Sequence, residues 1–298
     1  MVSAGQPVLG PRHQAGLLGR GARFAGSLLF SLGICLSLAA PAQAQSGWYL
    51  MTDIESGESV AVRETLISGG KVKTLPRDDA EPWLLIDLNT REIVLVDPVQ
   101  GVFARATPAD HCAALEESRD ELRALVPYLF RDDESLPAAD AEGTRQASAG
   151  AIRVREVATT TEFAGFEAVR YDIRLGSTKV EEVYLTTDAR LLRELGGLEG
   201  VAAYVDLARE LNRCVQETLG EQVLLPSPAA RTSLENMPEY VETLKKGWSV
   251  KTSWQGEPSR RDETVTIASE WDVRPADLEP PASYRVVSIA QMLLARGQ

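Results

Sequence analysis

Two periodicities run along the chain, and they fall in separate stretches. From Ser46 the residues Trp48, Leu50, Thr52 and Ile54 alternate with Tyr49, Met51 and Asp53, which is the period-two pattern of a strand. The turn Glu55-Ser56-Gly57 leads to a second strand, Ser59 to Ile67, and Ser68-Gly69-Gly70 leads to a third, Lys71 to Leu75. The stretch Trp83 to Thr107 then reads as three strands joined by the turns at Asn89-Thr90 and at Asp97-Pro98-Val99-Gln100-Gly101. Six strands joined in sequence order by short turns form an antiparallel meander.

The period changes after Thr107. Cys112, Leu115, Leu122, Leu125 and Leu129 recur at helical spacing behind the N-cap candidate Thr107-Pro108-Ala109-Asp110, with Glu116, Glu117, Arg119, Asp120, Glu121 and Arg123 on the other side. Pro127 is expected to end or kink this amphipathic helix. Arg131 to Gly150 has almost no bulky apolar residue and is expected to be a flexible loop. Strands resume at Ile152 to Thr161, Ala168 to Leu175 and Val180 to Thr186. A short helix is predicted at Ala189 to Leu195 and a longer one at Val201 to Glu217, divided by Gly196-Gly197 and Gly200. Towards the C-terminus come a helical turn at Pro238 to Lys245, a strand bearing Trp248, Val250, Thr252 and Trp254, and a strand from Thr264 to Val273 with Val265, Ile267, Ser269 and Trp271 on one side. A short apolar helix through Met292 and Leu294 closes the chain.

One strand breaks the alternation. Ile93-Val94-Leu95-Val96 is apolar on both faces, whereas a half-exposed antiparallel strand should be apolar on one. The amphipathic helices can cover one face. The other needs a further cover, whether more of the sheet wall, a ligand or a partner.

The first residues change the expected compartment. Arg12, Arg20 and Arg23 precede the apolar run Phe24 to Ala40 and the small-residue sequence Pro41-Ala42-Gln43-Ala44, the layout of a secretory signal peptide, residues 1–44, cut after Ala44. The run is shorter than the roughly 20 residues of a membrane span, so the processed chain, 45–298, is expected to carry no integral membrane segment and to be periplasmic. Losing three arginines and no acid takes the net charge from −12 to −15. An acidic surface repels phosphate backbones, which argues against nucleic acid as a partner. Cys112 and Cys214 remain, an even pair in an oxidising compartment. A disulfide between them is expected, two buried free thiols being the other reading. The bridge would close a loop of about 100 residues, nominally worth about 4.7 kcal/mol by chain entropy.

Catalytic signals are sparse. His111 is the one histidine of the processed chain, it sits beside a predicted helix start, and no G-x-S-x-G elbow accompanies it. The acidic runs Asp78-Asp79, Asp132-Asp133-Glu134 and Glu181-Glu182 read as solvated faces, and no G-x-G-x-x-G or Walker-type loop is present. The expectation is therefore a protein that is not an enzyme and needs no cofactor or metal. The five tryptophans, Trp48, Trp83, Trp248, Trp254 and Trp271, all lie in or beside strands, where each reads first as core and second as a groove liner.

The segments Ser68-Gly69-Gly70-Lys71-Val72-Lys73, Leu85-Ile86-Asp87-Leu88, Asp97-Pro98, Gly165-Phe166-Glu167-Ala168-Val169-Arg170-Tyr171, Glu182-Val183-Tyr184-Leu185-Thr186 and Pro281-Ala282-Ser283-Tyr284 together resemble an uncharacterised family of exported bacterial proteins. That family is similar to the LolA/LolB-like periplasmic carriers. The resemblance implies an α+β fold, mainly antiparallel β, built as one domain: a curved, unclosed barrel with amphipathic helices packed on its concave face. It also implies handling of a hydrophobic ligand, a lipid, an acyl chain or a lipoprotein. The expected groove residues are Ile86, Ile93, Val94, Leu95, Val96, Phe103, Tyr171 and Trp254. The alternative is an envelope protein that binds another protein and holds no ligand.

Overall fold

The alternation in the first strands is realised as rows of side chains that cross the sheet. The computed structural model describes residues 45–57, 59–77, 80–129, 151–219, 234, 237–255 and 260–295. The expected leader and the expected loop at 131–150 lie outside the described residues, all of which belong to the unit Pro41–Gln298.

Strands β1 (Gln45–Ser56), β2 (Ser59–Ser68), β3 (Lys71–Pro76), β4 (Trp83–Asp87), β5 (Glu92–Asp97) and β6 (Val102–Ala106) are followed by helices α1 (Pro108–Glu117) and α2 (Arg119–Leu129). Next come β7 (Ile152–Phe163), β8 (Phe166–Leu175) and β9 (Thr178–Thr186), then α3 (Ala189–Leu195), α4 (Gly197–Leu219) and α5 (Pro238–Leu244). The chain ends with β10 (Trp248–Trp254), β11 (Arg261–Val273), a 3₁₀ turn at Pro275–Leu278, β12 (Arg285–Val286) and α6 (Ile289–Ala295). All twelve strands join one sheet in the order β12-β6-β5-β4-β3-β2-β1-β11-β10-β9-β8-β7. It is antiparallel throughout except where β12 runs parallel to β6, and it is unclosed, since no described strand pairs β7 with β12.

On one face, called here the first, the row Trp48–Ile67–Val72–Ile86–Ile93–Ala106 crosses from β1 to β6, and every member is buried. Helices α3 and α4 cover the β1–β3 part of this face through Leu191, Leu195 and Val201, while Leu207 of α4 and Ile289 and Met292 of α6 cover the β4–β6 part. Fully burying such a side chain is worth roughly 1.5–3 kcal/mol, so this layer contributes substantially to the stability of the fold. Polar contacts fix its register. The Glu194 carboxylate of α3 accepts from the Ser46 hydroxyl at 2.8 Å, and its backbone oxygen accepts from the Gly70 amide at 2.7 Å.

Both faces of Ile93–Val96 are covered by the protein itself. Ile93 and Leu95 meet the helix layer; Val94 and Val96 meet Val273, Leu278 and Tyr284. The second cover is thus the C-terminal strap that leaves β11, passes through the 3₁₀ turn and rejoins the sheet at β12.

Two boundaries differ from the sequence expectation. The helix predicted from Thr107 onward breaks at Ser118 rather than Pro127. Thr107 and Asp110 form the predicted cap, but Ser118 leaves helical geometry (φ −97°, ψ 14°) and α2 continues to Leu129. The break re-aims α2 so that Arg123 donates from Nε to the Thr218 carbonyl oxygen on α4 at 2.9 Å. Gly200 lies inside α4 rather than ahead of it. A β-carbon there would stand 1.6 Å from the Leu195 carbonyl oxygen, so glycine is required by the close approach of α3's end and does not act as a breaker. Cys112 of α1 and Cys214 of α4 form a disulfide, with 5.3 Å between their α-carbons across 102 residues.

Candidate functional site

The second face of the sheet carries its own row, Ser269–Tyr49–Leu66–Lys73–Leu85–Val94–Arg105, read from β11 to β6. Its halves differ in their cover. From Leu85 onward the strap lies over it. From Lys73 back to β11 the row faces an open cleft of about 1220 Å³ bordered by the strap residues Arg274, Ala276, Asp277, Glu279 and Pro281. The floor is Tyr49, Leu66 and Lys73, with Trp83 on one side and Trp271 on the other. Trp271 is 53% exposed although it is a tryptophan on a central strand, and its ring lies 6.0 Å from that of Tyr49, tilted by 42°.

Lys73 marks the boundary between the covered and open halves. It is a buried cation that donates from Nζ to the Asp277 backbone oxygen at 2.8 Å and lies 4.0 Å from the centre of the Trp83 ring. Burial pushes its pKa down, and the Asp277 carboxylate opposes that. Arg274 in turn grips Asp277, with Nη2 at 2.8 Å from Oδ1, and this hydrogen bond holds the Asp277 carboxyl below its ordinary range. On the floor, burial raises the Tyr49 phenol, and the charge and hydrogen bond of Glu64 raise it further.

The eight residues expected to line a groove are not gathered in one place. Ile86, Ile93 and Leu95 lie in the cluster beneath α4 and α6, and Val94, Val96 and Phe103 lie beneath the strap. Tyr171 and Trp254 belong to a third cluster, around Tyr240 of α5. Ile86, Ile93, Val94, Val96, Tyr171 and Trp254 are buried, and Leu95 and Phe103 are half-buried. His111 is buried as well, and burial lowers its pKa.

The residues that do line the cleft were hidden by a register shift. Sequence alternation puts Val265 on the same side as Ile267, Ser269 and Trp271. The β1–β11 pairing slips between Met51 and Thr52, so Val265 opposes buried Thr52 and enters the first-face core, while Ile267 and Trp271 point to the other face and are exposed. Such a bulge reverses the inside and outside of a strand midway along it. The available signal was local: Trp271 is an aromatic residue between Glu270 and Asp272, in a strand end otherwise built for solvent.

Among the described residues no helix is long and apolar enough to cross a membrane, and no group of three or more His, Cys, Asp or Glu could hold a metal ion. No known protein family matches the chain, and neither does any curated protein. Among solved structures it is similar to PNGF-II in a C2 crystal form at 7% identity with a TM-score of 0.38, over 85% of this chain and 33% of that one. It is also similar to MucB in complex with MucA(peri), at 11% identity with a TM-score of 0.35, over 82% of this chain and 57% of that one. The Pseudomonas aeruginosa MucA/MucB complex gives 11% identity and a TM-score of 0.35, over 83% and 59%. The chain therefore spans about a third of PNGF-II and under three-fifths of MucB.

Proposed function

We propose that this is a non-enzymatic binding protein of the oxidising cell-envelope compartment, and that the second-face cleft receives the apolar part of a ligand or partner. The observation that carries the reading is Trp271: a large aromatic side chain more than half exposed, its ring tilted against that of Tyr49 at the edge of an open cleft that continues a surface already used for packing. Exposed aromatics in a concavity are how binding sites store contact area, and the charged groups around them fix orientation. The disulfide supports the compartment, because such bridges persist where the environment is oxidising. In this reading the helix-bearing first face is the concave side of a half-barrel, and its interior is core rather than ligand cavity, being filled by Trp48, Ile67, Ile86, Ile93 and the side chains of α3, α4 and α6.

Titration with the neutral dye Nile red tests the proposal. Wild-type protein is expected to bind the dye with a blue-shifted emission, and Trp271→Ala to weaken binding about tenfold, a loss of about 1.4 kcal/mol. Equal binding by the two proteins would move the site elsewhere, and native mass spectrometry showing an acyl chain retained by Trp271→Ala would place the ligand on the helix side.

A further inference from the structure

β11 is paired unequally on its two sides. β1 runs beside it for its whole length, from Ser56 opposite Arg261 to Gln45 opposite Val273, whereas β10 pairs with it only from Arg261 to Thr264. The two strands part at irregularities that fall side by side. The slip between Met51 and Thr52 leaves Thr266 without a partner in β1, and the slip between Ser249 and Lys251 leaves Val250 without one in β9. Such bulges bend their strands and end pairing. Beyond them no described strand pairs with the second side of β11, although β7 comes near it.

Hydrogen bonds show which backbone groups that side presents. The Met51 oxygen accepts from the Thr266 hydroxyl and so faces β11, while the Ser46 oxygen accepts from the Ser68 hydroxyl and so faces β2. Successive residues of a strand alternate in the neighbour they bond. Gly47, Tyr49 and Met51 therefore bond to Trp271, Ser269 and Ile267, and Ala268, Glu270 and Asp272 turn their N–H and C=O groups away from β1. Among the described residues nothing bonds those groups. Side chains alternate along the same stretch: Ile267 and Trp271 lie on the second face, 45% and 53% exposed, with Ser269 between them. The outer edges of the sheet are blunted, β12 by its two-residue length and β7 by a bulge followed by exposed Thr160, Thr161 and Glu162. The edge of β11 instead carries two exposed apolar side chains in register.

We infer that the β11 edge from Ile267 to Asp272 takes up an extended polypeptide segment as an added antiparallel strand, whose apolar side chains cover Ile267 and Trp271. The inference rests on the proposed binding role of the cleft, which Trp271 borders, and names the class of partner. Strand addition works through backbone groups, so this edge selects an extended chain over a lipid, which has no ladder to offer. The pleat sets the side chains. Residues opposite Ile267 and Trp271 stand four apart on one face of the added strand, with a small polar residue opposite Ser269 between them. Antiparallel pairing matches both strands already beside β11.

The probe is a fluorescein-labelled peptide, Gly-Thr-Val-Thr-Ser-Thr-Phe-Thr-Gly, in which Val and Phe stand four apart. In wild-type protein alone the Ala268, Glu270 and Asp272 amides are expected to exchange fast and those of Ser269 and Trp271 slowly; the peptide should slow the first three about tenfold or more. N-methylation of the threonines on either side of the serine should weaken binding about tenfold or more, because their N–H groups face β11, while N-methylation of Val and Phe should leave it nearly unchanged. Glu270→Pro removes one outward N–H and spares the β1 ladder, as proline does on an edge. It should weaken the peptide about tenfold, with the Ser269 amide reporting that the sheet is intact. Slow exchange at the three amides before peptide is added, protection that rises with protein concentration alone, equal binding of all the N-methylated peptides, or no binding of the unmethylated one overturns the inference. The N-methyl comparison uses wild-type protein, so it decides even where the proline variant fails to fold. If the peptide fails while Nile red still depends on Trp271, the binding role stands and only strand addition falls; if Nile red also ignores Trp271, both fall.

Discussion

The Lys73 ammonium donates to the backbone oxygen of Asp277 at 2.8 Å, joining the sheet to the C-terminal strap across 204 residues of sequence. This contact sits where the second face passes from covered to open, and the strap that it touches is the protein's own occupant of that face. Leu278 and Val273 are fully buried, worth roughly 1.5–3 kcal/mol each. The partly exposed pair Arg105–Glu279 is worth about 0–1 kcal/mol. Apolar burial therefore holds the strap, and the polar contacts set where it lies.

Lys73→Met keeps the length of the side chain and removes the donor. It is expected to cost about 1–2 kcal/mol, because a hydrogen bond from a charged group is lost while the stem still packs. Hydrogen exchange localises the effect: the Arg285 and Val287 amides, which donate to the Gly101 and Phe103 oxygens at 2.9 Å, should exchange faster than in wild type. Unchanged protection there would mean that the apolar contacts alone position the strap.

Trp271→Ala separates binding from stability. The side chain is 53% exposed, so its removal should change the unfolding free energy by no more than about 0.5 kcal/mol. A loss of several kcal/mol in urea denaturation would show that Trp271 belongs to the core.

Gly47→Ala should be costly for a small change. A β-carbon at this position would stand 2.6 Å from Val273 Cγ2 and 2.7 Å from the Ile67 backbone oxygen, and the second of these is backbone that cannot swing aside. Overpacking of this kind costs about 1–3 kcal/mol. The urea midpoint should fall, and since Gly47 borders the cleft, Nile red binding should weaken with it.

Replacing both Cys112 and Cys214 by alanine should lower stability by about 2–4 kcal/mol. The wild-type protein, unfolded without reductant, should take up no thiol-reactive label at either position, and label on both would refute the bridge.

His111 gives a pH dependence with a defined sign. Burial depresses its pKa in the folded protein, so as pH falls below about 6.5 the unfolded chain takes the proton first. Its contribution is complete above that pH and is lost on acidification toward the folded pKa. His111→Gln should therefore lose less stability than wild type between neutral and mildly acidic pH, measured by urea titration at each pH; parallel curves would rule out His111 as the source.

The meander and most of the other elements are legible in the sequence, because strand alternation, turn glycines and helical spacing are local signals. Trp83 to Thr107 appears in the structure as β4, β5 and β6 at nearly the expected places. The pairing of Cys112 with Cys214 is legible too, since the two cysteines outside the expected leader offer a single partnership. The apolar run Ile93 to Val96 correctly signals a strand covered twice. It contains nothing to say that the second cover is Val273, Leu278 and Tyr284, which lie nearly two hundred residues further along.

What the chain determines by itself is thus the set of elements and the need to bury both faces of one strand, since these follow from side-chain periodicity. The tertiary structure decides which surface stays open. The slip between Met51 and Thr52 turns Val265 inward and Trp271 outward, and the path of the strap covers Val94 while leaving Tyr49 and Leu66 beside a cleft. Both depend on pairings between residues far apart in sequence, and a period-two pattern carries no information about its partner strand's register.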